Sequence, residues 1–328
     1  METRDFVRLA RSASVIGMGC WQLGADWGSV DDATALSTLH AAADAGVTFF
    51  DTADVYGDGR SERLVGQFIR ERADTDLFVA TKTGRRAAAQ EDSHYTEANL
   101  RSWIARSLDN LGVERLDLVQ WHCPPTATIE RDSMYDLFDQ FVSEGLIAGY
   151  GVSVETVQQA LTAMAHPHIA SVQIIANAFR LRPFVEVMPV AAQAGVAIIV
   201  RLPLASGLLA GTYTRDSTFS HDDHRTYNRN GEAFDKGETF SGVPFDIGVG
   251  AAAQLATFVT PGVSAAQAAL RWVIDQPGVT TIIPGARNVT QAQANASVAL
   301  LPATTPEYSN AVIRIYDEVI REHVHNQW

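Results

Sequence analysis

Four polar residues stand where apolar runs end. Asp51 closes VTFFD, Tyr56 follows five residues later in FDTADVYG, Lys82 follows LFVAT, and His122 follows LDLVQW. A phenol, an ammonium, a carboxylate and an imidazole brought together make a proton-transfer site. A free tyrosine titrates near pH ~10, and an ammonium within a few ångströms favours the phenolate, so the phenol is expected to become more acidic. Asp51 would keep Lys82 charged and oriented, while His122 would hydrogen-bond a substrate oxygen beside Tyr56. Such a group protonates an oxygen, or deprotonates an alcohol in the reverse direction. Any one of the four taken singly reads as well as a buried ion pair, a core tyrosine or a capped histidine. Their joint placement is what argues for chemistry.

The elements that must position them repeat a simple unit: an amphipathic segment, a glycine, then a short apolar run. It appears as DATALSTLHAAADAG-VTFFD, EANLRSWIARSLDNLG-VERLDLVQW, SMYDLFDQFVSEG-LIAGYGVS and FVEVMPVAAQAG-VAIIV. Gly46, Gly112, Gly145 and Gly195 fall where a helix end calls for a left-handed residue. With LFVAT, SVQII, TTII and an opening run near Ile16–Gly19, about eight buried strands alternate with helices, which implies a parallel sheet. The expected fold is α/β, a single (β/α)8 barrel over residues 1–328; a doubly wound open sheet is the alternative. In a barrel, the strand ends bearing the four residues converge on one mouth. Residues 211–245 are polar, Gly-rich and aperiodic, and after the seventh strand they read as a flap over that mouth. From Pro306 a helical spacing resumes, for a segment packed outside the barrel.

Composition bounds the partners. The chain has 328 residues, a net charge of -13, two cysteines and no apolar run near 18 residues. The acidic balance argues against nucleic acid or an anionic membrane as partner. So few cysteines make a reducing cytoplasm the default expectation.

The segments FDTADVYGDGRSERLVG, TKTG, LDLVQWH, GVSV, PLASGLL and IIPGARNVTQAQAN stand in the order and at the separations of the aldo-keto reductase family, which the chain resembles nearly end to end. The resemblance implies NADPH-dependent reduction of aldehydes and ketones, with Tyr56 as general acid, Lys82 and Asp51 tuning it, and His122 orienting the carbonyl. It also admits a dehydrogenase of a sugar or other secondary alcohol, or a cofactor-sensing subunit of low turnover. The implied cofactor is NADP(H), with NAD(H) second, bound extended along the rim. Ser153 and Gln173 would meet the nicotinamide carboxamide. The backbone of Ser206, Gly207 and Leu208 would approach the pyrophosphate, and Gly285, Arg287, Gln291 and Asn295 would hold the adenosine end, Arg287 facing a 2′-phosphate. Asn177 matches a supporting family asparagine. Three departures stand out: Val154 replaces a usual asparagine, Thr212 replaces a usual lysine, and Arg201 occupies a slot often aromatic. A planar guanidinium can stack as a ring does, so Arg201 is expected against the nicotinamide. The family's N-terminal hairpin looks shortened in FVRLARSASVIGMGC.

Trp21 and Trp27 follow the first strand and are candidates for the substrate pocket. No metal is expected: His221 and His224 in HDDH read as a solvated loop. Gly17-Met18-Gly19 lacks the third glycine of a dinucleotide fingerprint, and Cys123 reads as an inert thiol.

Overall fold

The structure is a computed structural model that describes residues 1–24 and 30–328; Trp27 lies outside the described residues. A hairpin of β1 (Thr3–Phe6) and β2 (Arg11–Ser14) precedes eight parallel strands: β3 (Met18–Gly19), β4 (Phe49–Asp51), β5 (Phe78–Thr83), β6 (Leu118–His122), β7 (Tyr150–Ser153), β8 (Ser171–Ile175), β9 (Ala197–Arg201) and β10 (Thr281–Ile282). They pair in sequence order. The sheet closes where Gly17 N donates to Ile282 O at 2.8 Å and Ile282 N donates to Val15 O at 3.1 Å. This is the expected barrel, and each of its eight parallel strands falls on an anticipated apolar run.

The helices between strands end as the glycines suggested. Gly46, Gly112, Gly145 and Gly195 all have positive φ, a conformation that costs glycine nothing and other residues a clash. Among the described residues, no helix is long and apolar enough to cross a membrane.

Strand alternation sorts each side chain to one of two faces. In β6, Val119 and Trp121 face outward into the helix layer, while Leu118 lies in the barrel interior. In β4 and β5, Phe49, Phe78 and Ala80 are interior and Phe50 and Val79 exterior. The same period therefore directs Asp51, Lys82, Gln120 and His122 inward, two or more residues above the apolar layer. Register aligns the levels: Lys82 pairs with Gln120, His122 with Ser153, and Ser153 with Gln173. The barrel is thus apolar at its bottom and polar at its mouth.

The hairpin, although short, does close the bottom. Phe6 is fully buried, its ring centroid 4.9 Å from that of Phe78 and 5.5 Å from that of Phe49. Arg8 donates to His166 O, Ile169 O and Ala194 O, satisfying carbonyls that the segments before β8 and β9 leave unpaired.

Residues 211–245 are built rather than loose. Asn228 is fully buried; its Oδ1 accepts from Ala233 N (2.8 Å) and Phe234 N (2.9 Å), and its Nδ2 donates to Thr239 Oγ1 (3.2 Å). Asn177, on the loop after β8, donates to Leu202 O (2.9 Å) and Ser241 Oγ (2.8 Å), tying the flap to the end of β9. The C-terminal segment, Pro306–Val324 in helical turns, packs outside the barrel as expected, yet its last residue reaches back to the flap. Trp328 Nε1 donates to Asp235 Oδ1 at 2.8 Å, and the Trp328 ring covers the buried Arg180 guanidinium at 4.0 Å.

Candidate active site

The four residues meet at the mouth. Lys82 Nζ donates to Asp51 Oδ1, to Thr52 O (2.9 Å) and to Tyr56 Oη (3.3 Å). The second Asp51 oxygen accepts from Gln120 Nε2 (2.9 Å) and Gln173 Nε2 (2.8 Å). With both oxygens occupied, Asp51 is fixed in place opposite the Lys82 ammonium. Burial works against the Lys82 charge, but Asp51 and Tyr56 outweigh it and hold the ammonium above its usual range.

Tyr56 corrects an expectation. Burial pushes its phenol up to about 12, with Lys82 pulling the other way and Asp51 pushing further up. The ammonium limits the rise but does not reverse it. At neutral pH the phenol keeps its proton and is a donor held in place, not a phenolate in waiting. The His122 ring stands edge-on to it, centroids 5.8 Å apart. Burial, reinforced by Arg85, Lys82 and Arg201, holds His122 well below its usual range, so the imidazole is neutral.

A groove of about 490 Å³ runs from this tetrad along the rim to Arg287, Gln291 and Asn295. Ser153, Gln173, Arg201, Ser206, Gly207 and Gly285 line it between the two ends. Leu202, Ala205, Ser206 and Gly207 all have positive φ, so the chain after β9 turns tightly there. At Gly207 a Cβ would lie 2.4 Å from the Tyr213 hydroxyl. At Gly285 it would fall on the Gln22 amide, 2.0 Å from Nε2. The Leu208 side chain is buried beside Gly248, and Leu208 is not among the groove residues. At the far end Arg287 N accepts support from Gln291 by donating to its Oε1 (2.9 Å), and Asn295 Nδ2 donates to Gly285 O (3.1 Å).

Arg201 is held sideways. Its Nη2 donates to Glu155 Oε2 (2.8 Å) and Val154 O (3.1 Å), and its Nη1 lies 3.7 Å from Glu238 Oε1. Arg85 Nη2 donates to Glu238 Oε1 and to Glu155 Oε1 (3.3 Å). Two guanidiniums and two carboxylates thus form one cluster beside His122. Burial pushes Glu155 up to about 7, Arg201 opposing and Glu238 adding; Glu238 resists its own burial and is held at about 2 by Arg85 and Arg201. Cys123, Glu155 and Glu238 have the spacing of a metal-ligand set, but both carboxylates are already engaged by the arginines.

A second cavity, of about 260 Å³, opens on the tetrad's other side, against Trp21, Tyr56, His122, Arg85, Phe234 and Glu238. Trp21 lines this cavity, its ring 6.0 Å from that of Tyr56 and nearly parallel. His224 corrects the solvated-loop reading: it is fully buried, its ring 5.0 Å from Trp21. Arg85, Gln120, Glu155 and Glu238 escaped the sequence analysis. Arg85 follows TKTG and Glu155 follows GVSV directly, so adjacency to a motif was an available signal; Glu238 had none.

Barrel, tetrad and groove define an α/β barrel with reactive groups gathered at its strand ends. The chain belongs to the aldo/keto reductase family, whose model matches residues 15–314 and whose members are NAD(P)H-dependent oxidoreductases. It is 32% identical over 302 residues to the aldo-keto reductase YhdN of Bacillus subtilis (strain 168), covering 90% of this chain and 87% of that one. A probable voltage-gated potassium channel subunit beta of Oryza sativa subsp. japonica is 27% identical, with 94% of each chain covered. Among solved structures, a glycerol dehydrogenase from Gluconobacter oxydans superposes with a TM-score of 0.78 at 28% identity, covering 99% of this chain and 97% of that one.

Proposed function

We propose that the protein reduces aldehydes and ketones to alcohols with NADPH, Tyr56 supplying the proton. The observation that carries this reading is the protonated Tyr56 phenol, fixed by Lys82 and flanked by a neutral His122. The rim groove suits an extended dinucleotide: its middle lies beside close-approaching backbone at Gly207, and its far end carries Arg287. When bound, a reduced nicotinamide supplies hydride to the carbonyl carbon. Tyr56 Oη gives its proton to the carbonyl oxygen, so that no free alkoxide forms. Lys82 stabilises the tyrosinate left behind, and Asp51 keeps Lys82 charged for that moment. His122, uncharged, positions the oxygen without competing as the acid.

Ser153 and Gln173 are the residues we assign to the carboxamide, and Ser206 and Gly207 to the pyrophosphate. Arg287 is assigned to the 2′-phosphate; Asp31, across the same rim pocket, already accepts from Thr34 N and Oγ1, both at 2.8 Å. Arg201, tied to Glu155, acts beside the nicotinamide site as a fixed positive group rather than a free ring substitute.

A second reading, oxidation of a secondary alcohol by the same residues, draws on the likeness to the glycerol dehydrogenase. The potassium-channel likeness suggests a sensor of cofactor state, and the complete tetrad argues for turnover instead. NADPH consumption against a panel of aldehydes, dicarbonyls and sugars, with Tyr56→Phe alongside, tests the proposal. Loss of about two to four decades in turnover with cofactor affinity retained is expected; wild-type rates in the variant would overturn it.

A further inference from the structure

Arg180 is a charge without a counter-charge. It lies on the loop after β8, 3% exposed, and its Nε, Nη1 and Nη2 are all buried with no hydrogen-bond partner among the described residues. Burial pulls the guanidinium down to about 9, Glu155 opposing and Arg201 adding, which still leaves a cation at neutral pH. A buried cation is costly unless it is paired and hydrogen-bonded. The neighbouring carboxylates have their bonds elsewhere. Glu155 accepts from Arg201 Nη2 (2.8 Å) and Arg85 Nη2 (3.3 Å), and Asp235 Oδ1 accepts from Trp328 Nε1 (2.8 Å) and Gly237 N (2.7 Å). What covers Arg180 is the Trp328 ring, 4.0 Å away, and the flap backbone at Gly237, where a Cβ would stand 2.6 Å from Nη2. A ring face attracts the cation, yet it leaves the in-plane N–H donors unused.

A small cavity of about 10 Å³ lies against this guanidinium. Its wall is apolar at Ile175, and Arg182, Glu155, Tyr316 and His325 line it beside Arg180. Tyr316 Oη and His325 Nδ1 are bonded to each other at 2.8 Å, and burial holds His325 below its usual range. Arg182 donates to Glu186 and to Trp328 O. Two guanidiniums therefore stand against one carboxyl group that Arg201 and Arg85 already engage, and the balance favours a negative ligand. The volume admits one water or one monatomic ion, and excludes a carboxylate or a phosphate.

We infer that this cavity is an anion site, taking a chloride ion against the Arg180 guanidinium beneath Trp328. The ion supplies the missing acceptor and neutralises the charge where three segments meet: the loop after β8 at Arg180, the flap at Asp235 and Gly237, and the end of the chain at Trp328. None of the tetrad lines this cavity, so the ion acts on how the flap is anchored and takes no part in the proton transfer.

Crystals grown without halide and soaked in sodium bromide test the site directly, because bromide replaces chloride and scatters anomalously. An anomalous peak within hydrogen-bond reach of Arg180 is expected. Density there without anomalous signal, that is a water, would overturn the inference. The second measurement is the thermal unfolding midpoint in sodium chloride and in sodium methanesulfonate at equal ionic strength, methanesulfonate being too large for the cavity. Chloride should raise the wild-type midpoint by about 2–4 °C through binding to the folded chain alone. Arg180→Met removes the charge at similar length and should lose that difference; a difference unchanged in the variant would count against the site. Should the variant fail to fold, the bromide peak in the wild-type protein decides. Neither readout involves turnover, so the carbonyl-reductase reading stands or falls separately.

Discussion

The barrel mouth and the flap are both polar and both reach Tyr56, yet they are built by different means. At the mouth, three of the four reactive side chains are fixed by strand register: Asp51 ends β4, Lys82 sits inward on β5, and His122 ends β6. In the flap, residues 211–245, position comes from side chains bonding to backbone, as Asn228 does to Ala233 and Phe234. Register is enforced by the whole sheet, whereas the flap is held by individual side-chain bonds, some within it and some, such as Asn177 to Ser241, to other segments. Changes at the mouth should therefore cost global stability and turnover, and changes in the flap should cost binding.

The hardest test of that contrast is Lys82→Met. It leaves Asp51 buried without its cation, and breaking a buried pair from one side costs about 3–5 kcal/mol. Urea unfolding should show that loss together with near-complete loss of turnover; wild-type stability would mean that the mouth is no more integral than a loop.

Asp54 sharpens the same point through pH. It is fully buried between β4 and Tyr56, and neither carboxylate oxygen has a partner among the described residues. Burial pushes it up to about 8, Glu62 adding. An unfolded aspartate titrates near ~3.9, so between that value and about 8 the folded chain holds more protons than the unfolded one. Stability from this group is present at low pH and declines as pH rises through the window. The decline should amount to about 2–4 kcal/mol between pH 5 and pH 8, and Asp54→Asn should lack it. Parallel pH dependence of unfolding in both proteins would contradict the assignment.

At the rim, Arg287→Ala should weaken NADPH by roughly one to two decades and NADH much less, since a charge-assisted phosphate contact is worth about 1.5–3 kcal/mol. Equal losses for both cofactors would show that Arg287 does not read the 2′-phosphate. The smallest effect belongs to the flap. Asn228→Ala removes three local hydrogen bonds; KM for the preferred carbonyl should rise by roughly three- to tenfold while the unfolding midpoint shifts by no more than about 1 kcal/mol equivalent. A large drop in global stability would erase the distinction between the two regions.

The same division explains what the sequence disclosed. Strands and helix ends were legible because period-two burial and left-handed glycines such as Gly112 and Gly195 write themselves into residue type. Asp51, Tyr56, Lys82 and His122 were legible because strand ends are marked and barrels gather them. Glu238 was not, because nothing in GEAFDKGETF has a period, and its position depends on bonds such as Phe240 N to Ser206 Oγ that link distant segments. Arg85 and Glu155 adjoin recognisable motifs, but a lone charge beside a strand end reads equally as solvated. Tyr56 shows a third case: its neighbours were identified and the direction of its shift was not, because desolvation depends on the whole enclosure rather than on Lys82 alone.

The inward alternation along β5 also bears on how such a chain diversifies. An insertion or deletion of one residue between Phe78 and Lys82 would turn every side chain above it to the opposite face, moving the ammonium from the mouth into the helix layer. No single point change repairs that. Length variation is therefore closed to the strands and open to the loop between Gly211 and Ser241, whose far end is tied through Asn177 to the end of β9. Changes of length in that loop leave Asp51, Lys82 and His122 where the sheet puts them.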